Sequence, residues 1–401
     1  MQPASSPTIL PLSGANRRRT LLPVFLYFLS AGVPTVMLGP ILPALIQRWH
    51  IQDAQAGTLF TASFIGQFCG AWFATRNLRA SVLYGSAITA MGCAGMVWVG
   101  FGLAHVALFT IGLGLGAGLT AGNVIAGTVV PATRARLIAA LNVAWGLGAI
   151  ACPLLVRLSS AKGIRSFFIV TASVVAATSL LSFIIPRSRQ AATSIAISPQ
   201  SSKSPESEVH PHMPLPPVPL FVFAAAIFLY VGVENALGGW LPSYANRINS
   251  NLRPSTVSLY FWIAELSGRI LITALMSLFE EEALYRLCLA LLILTEILLC
   301  AFAHISSAGV ITLTVFTALC LAPLYPLIMS FLLARTGNHA GLGALFACAS
   351  LGGATLPWLT GVVSTYFNGL RSGLLVPASG AILLLGLSAV VTARHTPSTK
   401  T

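Results

Sequence analysis

The sequence predicts an all-α membrane protein with twelve transmembrane helices in two pseudo-symmetric six-helix halves. Three observations predict this. First, of 401 residues, 56% are hydrophobic and only 8% are charged, with a mean hydropathy of +0.85; soluble domains carry roughly 25% charged residues. Second, apolar windows of about 20 residues, the length that crosses a bilayer, recur along the whole chain. Third, segments of the first half reappear in the second at a nearly constant offset, as in transporters built from parallel repeats.

In order, the spans fall at 21–46, 57–75, 80–102, 104–130, 135–157, 164–185, 219–242, 255–278, 284–303, 305–333, 341–366 and 370–393. Arg17, Arg18 and Arg19 precede the first. That run is too long for the apolar region of a cleaved signal, and no small-residue cleavage site follows it, so it reads as a span. The joints are short except for Pro186–Pro217, which is rich in Ser, Pro and charge and reads as a flexible cytoplasmic linker. The expected division is therefore residues 1–185, linker 186–217 and residues 218–401.

With both termini placed in the cytoplasm, 14 of the 22 Lys and Arg residues lie in cytoplasmic joints and tails, seven in outer joints, and Arg269 in a span. This bias supports that orientation in a plasma or bacterial inner membrane; the outer cluster Arg157, Lys162 and Arg165 runs against it. The net charge of +13 is thus explained by topology and does not point to nucleic acid. The seven cysteines all sit in apolar segments without CxxC or metal-ligand spacing, as packing residues do.

The internal repeat is explicit. Gly32-Val33-Pro34 and Gly39-Pro40-Ile41 correspond to Gly232-Val233-Glu234 and Gly239-Trp240-Leu241. Ile65-Gly66-Gln67 corresponds to Ile263-Ala264-Glu265, and Leu147-Gly148 with Pro153 to Leu351-Gly352 with Pro357.

These features, together with Tyr230-Val-Gly-Val-Glu-Asn-Ala-Leu-Gly-Gly-Trp-Leu-Pro-Ser-Tyr244, Ser267-Gly-Arg269, Ala322-Pro-Leu-Tyr-Pro326 and Leu351-Gly-Gly-Ala-Thr-Leu-Pro-Trp358, resemble the major facilitator superfamily over nearly the whole chain. More narrowly, they resemble the branch holding the fucose:proton symporter and the sodium-dependent glucose transporter-like proteins. The resemblance implies alternating access by rocking of two halves, and sugar-like solutes. The chain departs from it in three places. Thr75 stands where the loop after span 2 typically has Asp. Spans 1 and 4 lack acids, with Leu119 near the expected span 4 position. Span 5 ends in Cys152-Pro153-Leu154-Leu155 in place of a glycine-rich antiporter signature.

Charges at bilayer depth are costly and mark function. Glu265 and Arg269, four apart on one helix face, are expected either to form a structural pair or to switch when a cation or solute binds. Glu234 precedes Gly238, Gly239 and Pro242, which are expected to loosen the helix as a gate. Glu234, Glu265 and Arg269 are therefore the expected ion-coupling residues for H+ or Na+. Glu296, in span 9, is expected to be supportive, and Glu280-Glu281-Glu282 to be solvated or to latch helix ends. A sugar is bound by amide and carboxylate hydrogen bonds and by flat rings; the candidates are Gln67, Asn123, Asn142, Trp145, Asn235, Trp240, Trp262, Tyr325 and Trp358. Trp240 is also placed where an interface anchor would sit.

The expected function is secondary transport of a small polar solute, hexose-like, by a monomer in the lipid bilayer, with no cofactor beyond a coupling ion. The alternative is export of amphiphilic organic compounds. No HExxH or GxSxG motif suggests an enzyme, and His105, His304 and His339 fall in joints.

Overall fold

The computed structural model describes residues 14–74, 77–129, 134–184, 217–276, 278–301, 306–336 and 342–392. The expected linker, apart from Pro217, lies outside these residues, as do Thr75, His304 and His339. The described chain is helical because, in lipid, backbone N–H and C=O groups must bond within the segment itself.

The first half contains α1 (Gly14–Val36), α2 (Leu38–Trp49), α3 (Asp53–Phe73), α4 (Leu78–Gly95), α5 (Phe101–Val129), α6 (Arg134–Ser159) and α7 (Ile164–Ser182). The second contains α8 (Pro217–Ile248), α9 (Pro254–Leu275), α10 (Glu281–Ala301), α11 (Ser307–Leu321), α12 (Leu324–Thr336), α13 (Leu342–Tyr366), α14 (Leu370–Gly373) and α15 (Leu375–Thr392).

Three of the twelve spans are broken in two, which the apolar pattern does not reveal. The breaks fall at Met37, at Ala322-Pro323 and at Leu374. Each lies just at or beyond the residue four before a proline: Val36 before Pro40, Ala322 before Pro326, Gly373 before Pro377. A proline has no N–H for that carbonyl, and its ring clashes with it, so the helix stops and restarts. By contrast, α8 runs unbroken through Gly238, Gly239 and Pro242. The expected loosening there is corrected: these glycines serve close packing. A Cβ on Gly39 would strike the Gly238 carbonyl, and one on Gly239 would meet the Phe60 ring at 2.6 Å.

By length and composition, eight described segments are apolar enough to cross a membrane.

The repeat seen in sequence is a repeated contact. A Cβ on Gly148 of α6 would collide with the Leu29 carbonyl of α1, and one on Gly352 of α13 with the Phe228 carbonyl of α8. Equivalent glycines thus set equivalent helix pairs at backbone distance, the usual device where no hydrophobic effect drives helices together.

The halves meet on the side of the short loops at 49–53, 248–254 and 366–370. There Arg247 grips Asp53 with both terminal nitrogens (2.5 and 2.7 Å), and Ser364 donates to the same carboxylate at 2.6 Å. The Ala54 amide donates to Thr365 Oγ1 (2.8 Å), and Thr61 to the Ala354 carbonyl (2.9 Å). On the side of the chain ends, Arg79 donates to the Phe183 carbonyl, Arg286 pairs with Glu282 and donates to Thr392, and Ser330 donates to Glu281, each within its own half.

Gly148→Ala or Gly352→Ala is expected to lower stability by about 1–3 kcal/mol, the range for overpacking, whereas Gly386→Ala, with nothing within 4 Å, should be neutral; thermal unfolding in nanodiscs checks this. Asp53→Asn is expected to raise severalfold the labelling of a cysteine placed at Thr61 by an impermeant reagent on the loop side, and the charge swap Asp53→Arg with Arg247→Asp to restore protection.

Candidate functional site

Glu234 and Arg269 stand at matching depth. Glu234 is 14 residues from the loop-side end of α8, and Arg269 is 15 residues from that of α9. At 1.5 Å per residue both lie about 21–23 Å in. Each helix offers a pair spaced by four, Tyr230 with Glu234 and Glu265 with Arg269, and such pairs share a face.

The two faces interlock. Arg269 Nη2 donates to Glu234 Oε1 at 2.7 Å, and the Tyr230 hydroxyl donates to the same oxygen at 2.8 Å. Arg269 Nε forms an ion pair with Glu265 Oε1 at 2.5 Å, an electrostatic contact rather than an aligned hydrogen bond. Both carboxylates are buried, Glu265 to 1% exposure. The sequence pairs Arg269 with Glu265 alone; the structure adds Glu234 as its second partner. One guanidinium thus faces two acids, leaving one negative charge in excess when both are ionised. A buried ion without a partner costs several kcal/mol, which a proton or another cation at this point would relieve.

Aromatic rings wall the cluster. Tyr325 of α12 stacks on Tyr230 with centroids 5.5 Å apart. The Arg269 guanidinium lies over the Trp145 ring of α6 at 5.6 Å, and Trp145 meets Trp262 edge to face at 5.8 Å. Trp145 and Tyr325 therefore border the charges rather than the hollow beside them.

That hollow is a narrow one between the halves, with room for about one water molecule, lined by Pro34 and Thr35 of α1, Phe60, Ser63 and Phe64 of α3, Asn235 of α8 and Trp262 of α9 among others. Of the expected solute contacts, Asn235 and Trp262 line it directly. Gln67 follows Phe60, Ser63 and Phe64 at helical spacing, so it continues the same face one turn further in. The Gln67 Nε2 and Trp262 Nε1 donors and the Asn123 Oδ1 acceptor of α5 are buried without a protein partner. Asn235 Nδ2 donates to its own helix at the Val231 carbonyl (2.8 Å).

Three further candidates are brought neither to the hollow nor to the charges. Trp240 is corrected: it is fully buried, its indole N–H donates to the Pro357 carbonyl at 2.8 Å, and it packs on Phe60, so it clamps α8 to α13. Trp358 is 39% exposed, with its backbone against Gly57 at the closed seam. Asn142 is half-buried on α6, with no contact linking it to the cluster. Glu296 stands apart on α10, buried, with neither carboxylate oxygen hydrogen-bonded. Glu281 and Glu282 tie helix ends together, through Ser330 and Arg286.

Sequence reasoning passed over Tyr230, Thr35, Phe60 and Phe64, and the Asp53–Arg247 latch. Tyr230 had a usable signal, its four-residue spacing from Glu234. Asp53 and Arg247, 194 residues apart, had none.

Residues 24–357 match the family model described as Major Facilitator Superfamily. The chain is 22% identical over 375 residues to Bypass of stop codon protein 6 of Saccharomyces cerevisiae, covering 84% of this chain and 75% of that one. It is 37% identical over 123 residues to the 4-hydroxybenzoate transporter PcaK of Pseudomonas putida, covering 27% of this chain and 25% of that one. Its fold is similar to a bacterial homolog of the human lysosomal transporter Spinster in an inward-facing, occupied conformation (TM-score 0.72, 14% identity, covering 94% of this chain and 97% of that one). With a two-half helix bundle, a charged cluster at mid-depth and a family match over most of its length, the chain belongs to the Major Facilitator Superfamily of membrane transporters.

Proposed function

We propose that this protein is a proton-coupled secondary transporter of a small neutral polar solute, hexose-like, working as a monomer in a plasma or bacterial inner membrane with both termini in the cytoplasm. The observation that carries the proposal is the Glu234–Arg269–Glu265 cluster beside the inter-half hollow. Its excess negative charge is a place for one proton, and its position on the two helices that border the hollow lets protonation alter the fit between halves.

The solute class follows from what the hollow and its surroundings offer. Phe60, Phe64 and Trp262 provide flat apolar faces, and Thr35, Ser63 and Asn235 provide polar atoms. The unsatisfied buried donors of Gln67 and Trp262 suit a molecule carrying several hydroxyls, since a buried polar atom left without a partner costs free energy that such a ligand recovers. Arg269, which an anionic solute would need, is already held by two acids. The resemblance of the segments 230–244 and 351–358 to the sugar-transporting branch supports the same class. Alternating access then needs the loop-side latch to open and the narrow hollow to widen around the solute.

Vesicle uptake of a panel of labelled hexoses, with proton and sodium gradients imposed separately, tests this. Accumulation is expected with an inward proton gradient and to collapse with a protonophore. Glu234→Gln, which fixes the neutral form, is expected to reduce gradient-driven accumulation at least tenfold while sparing exchange of solute down its own gradient. Uptake indifferent to both gradients would contradict proton coupling, and drive by sodium alone would transfer the role to that ion. Arg269→Met, which leaves two buried acids without a counter-charge, is expected to cost about 3–5 kcal/mol of stability, read by thermal unfolding.

A further inference from the structure

We propose that Trp145 is the positioning residue that carries the charge state of the Glu234–Arg269–Glu265 cluster into the first half of the molecule. This rests on the cluster binding a proton. All three ionic groups belong to the second half, on α8 and α9. The first-half side chain they meet among the described residues is Trp145 of α6, whose ring lies under the Arg269 guanidinium at 5.6 Å.

The indole is fixed on its other sides. Its edge meets Trp262 at 5.8 Å with planes at 87°. Its N–H donates to Thr35 Oγ1 at 3.4 Å, and Thr35 donates to the Ala31 carbonyl at 2.7 Å. One ring therefore touches α9 and α1 from its seat on α6. Next to it, a Cβ on Gly146 would lie 2.8 Å from Leu266 of α9, so the two helices meet there without slack. Trp262, Leu266 and Arg269, spaced by four and three, form the single face of α9 turned toward α6.

The guanidinium is thus divided among two carboxylates and one π face. With both acids ionised, the carboxylates dominate its position. A proton on either acid removes one attraction, and the pull toward the ring gains relative weight in a site of low dielectric. Arg269 then settles on Trp145, and the contact between α6 and α9 tightens. The other titratable groups facing Arg269 are Tyr230 of α8, which donates to Glu234, and Tyr325 of α12, stacked on Tyr230. Among the described residues, the charged side chains of α6 and α2 lie near their ends (Arg136, Arg157, Arg48), Cys152 of α6 is fully buried two turns beyond Trp145, and Cys320 of α11 neighbours Cys288 of α10.

The test is amide hydrogen exchange of the purified full-length protein in nanodiscs across a pH titration, corrected for the intrinsic pH dependence of exchange, with the proton as the only ligand. In the wild type, α6 and α9 are both expected to change protection severalfold over the same step. Trp145→Leu is expected to keep the step in α9 and lose it in α6, and Trp145→Phe, which retains a π face, to keep it in both with smaller amplitude in α6. Thermal unfolding identifies a misfolded variant, and the Phe variant then decides. An α6 response unchanged in the Leu variant, or lost equally from both helices in the Phe variant, overturns the role of Trp145. Absence of any step in wild-type α9 overturns proton binding itself and this inference with it.

Discussion

One arginine is shared by two acids, and the rest of the site depends on that sharing. Arg269 can hold Glu234 and Glu265 in place, at 2.7 and 2.5 Å, but it can neutralise only one. Buried charges persist only when paired, so the cluster ties α8 to α9 and, with both acids ionised, carries one uncompensated negative charge, which the proposed proton would neutralise.

The scaffold delivers this cluster to the place where the halves meet. Glycines at equivalent positions bring α6 against α1 and α13 against α8 at backbone distance, and proline-induced breaks divide three spans into separate segments. One unbroken helix, α8, carries Glu234 near its middle and Arg247 thirteen residues further on, about 20 Å away at 1.5 Å per residue. Glu234 and the Asp53–Arg247 latch at the seam are therefore joined by one continuous helix.

Much of this was legible in sequence because lipid makes the rules simple. Twelve apolar stretches and a six-plus-six repeat follow from length, hydropathy and offset. Glu265 and Arg269 could be paired because a helix puts residues four apart on one face. What was not legible depends on contacts between distant segments. Nothing in the sequence says that Arg269 also reaches Glu234, 35 residues away, or that Asp53 faces Arg247. Trp240 showed the same limit from the other side: its neighbours Gly238 and Gly239 suggested a gate, yet the ring is sealed between α8 and α13 by its bond to Pro357. The helix breaks were not readable, for although each sits at or next to the residue four before a proline, Pro23, Pro34, Pro43, Pro153, Pro242 and Pro357 lie inside helices that continue, and hydropathy runs straight across the breaks.

The central claim is that the Glu234–Glu265 pair takes up one proton. Infrared difference spectroscopy of the purified protein across a pH titration measures it directly, through the C=O stretch of a protonated buried carboxyl. The account predicts a band that grows by one carboxyl as pH falls and that is altered by Glu234→Gln or Glu265→Gln but not by Glu296→Gln. A band untouched by the first two substitutions, or no carboxyl change at any pH at which the protein remains folded, would contradict it.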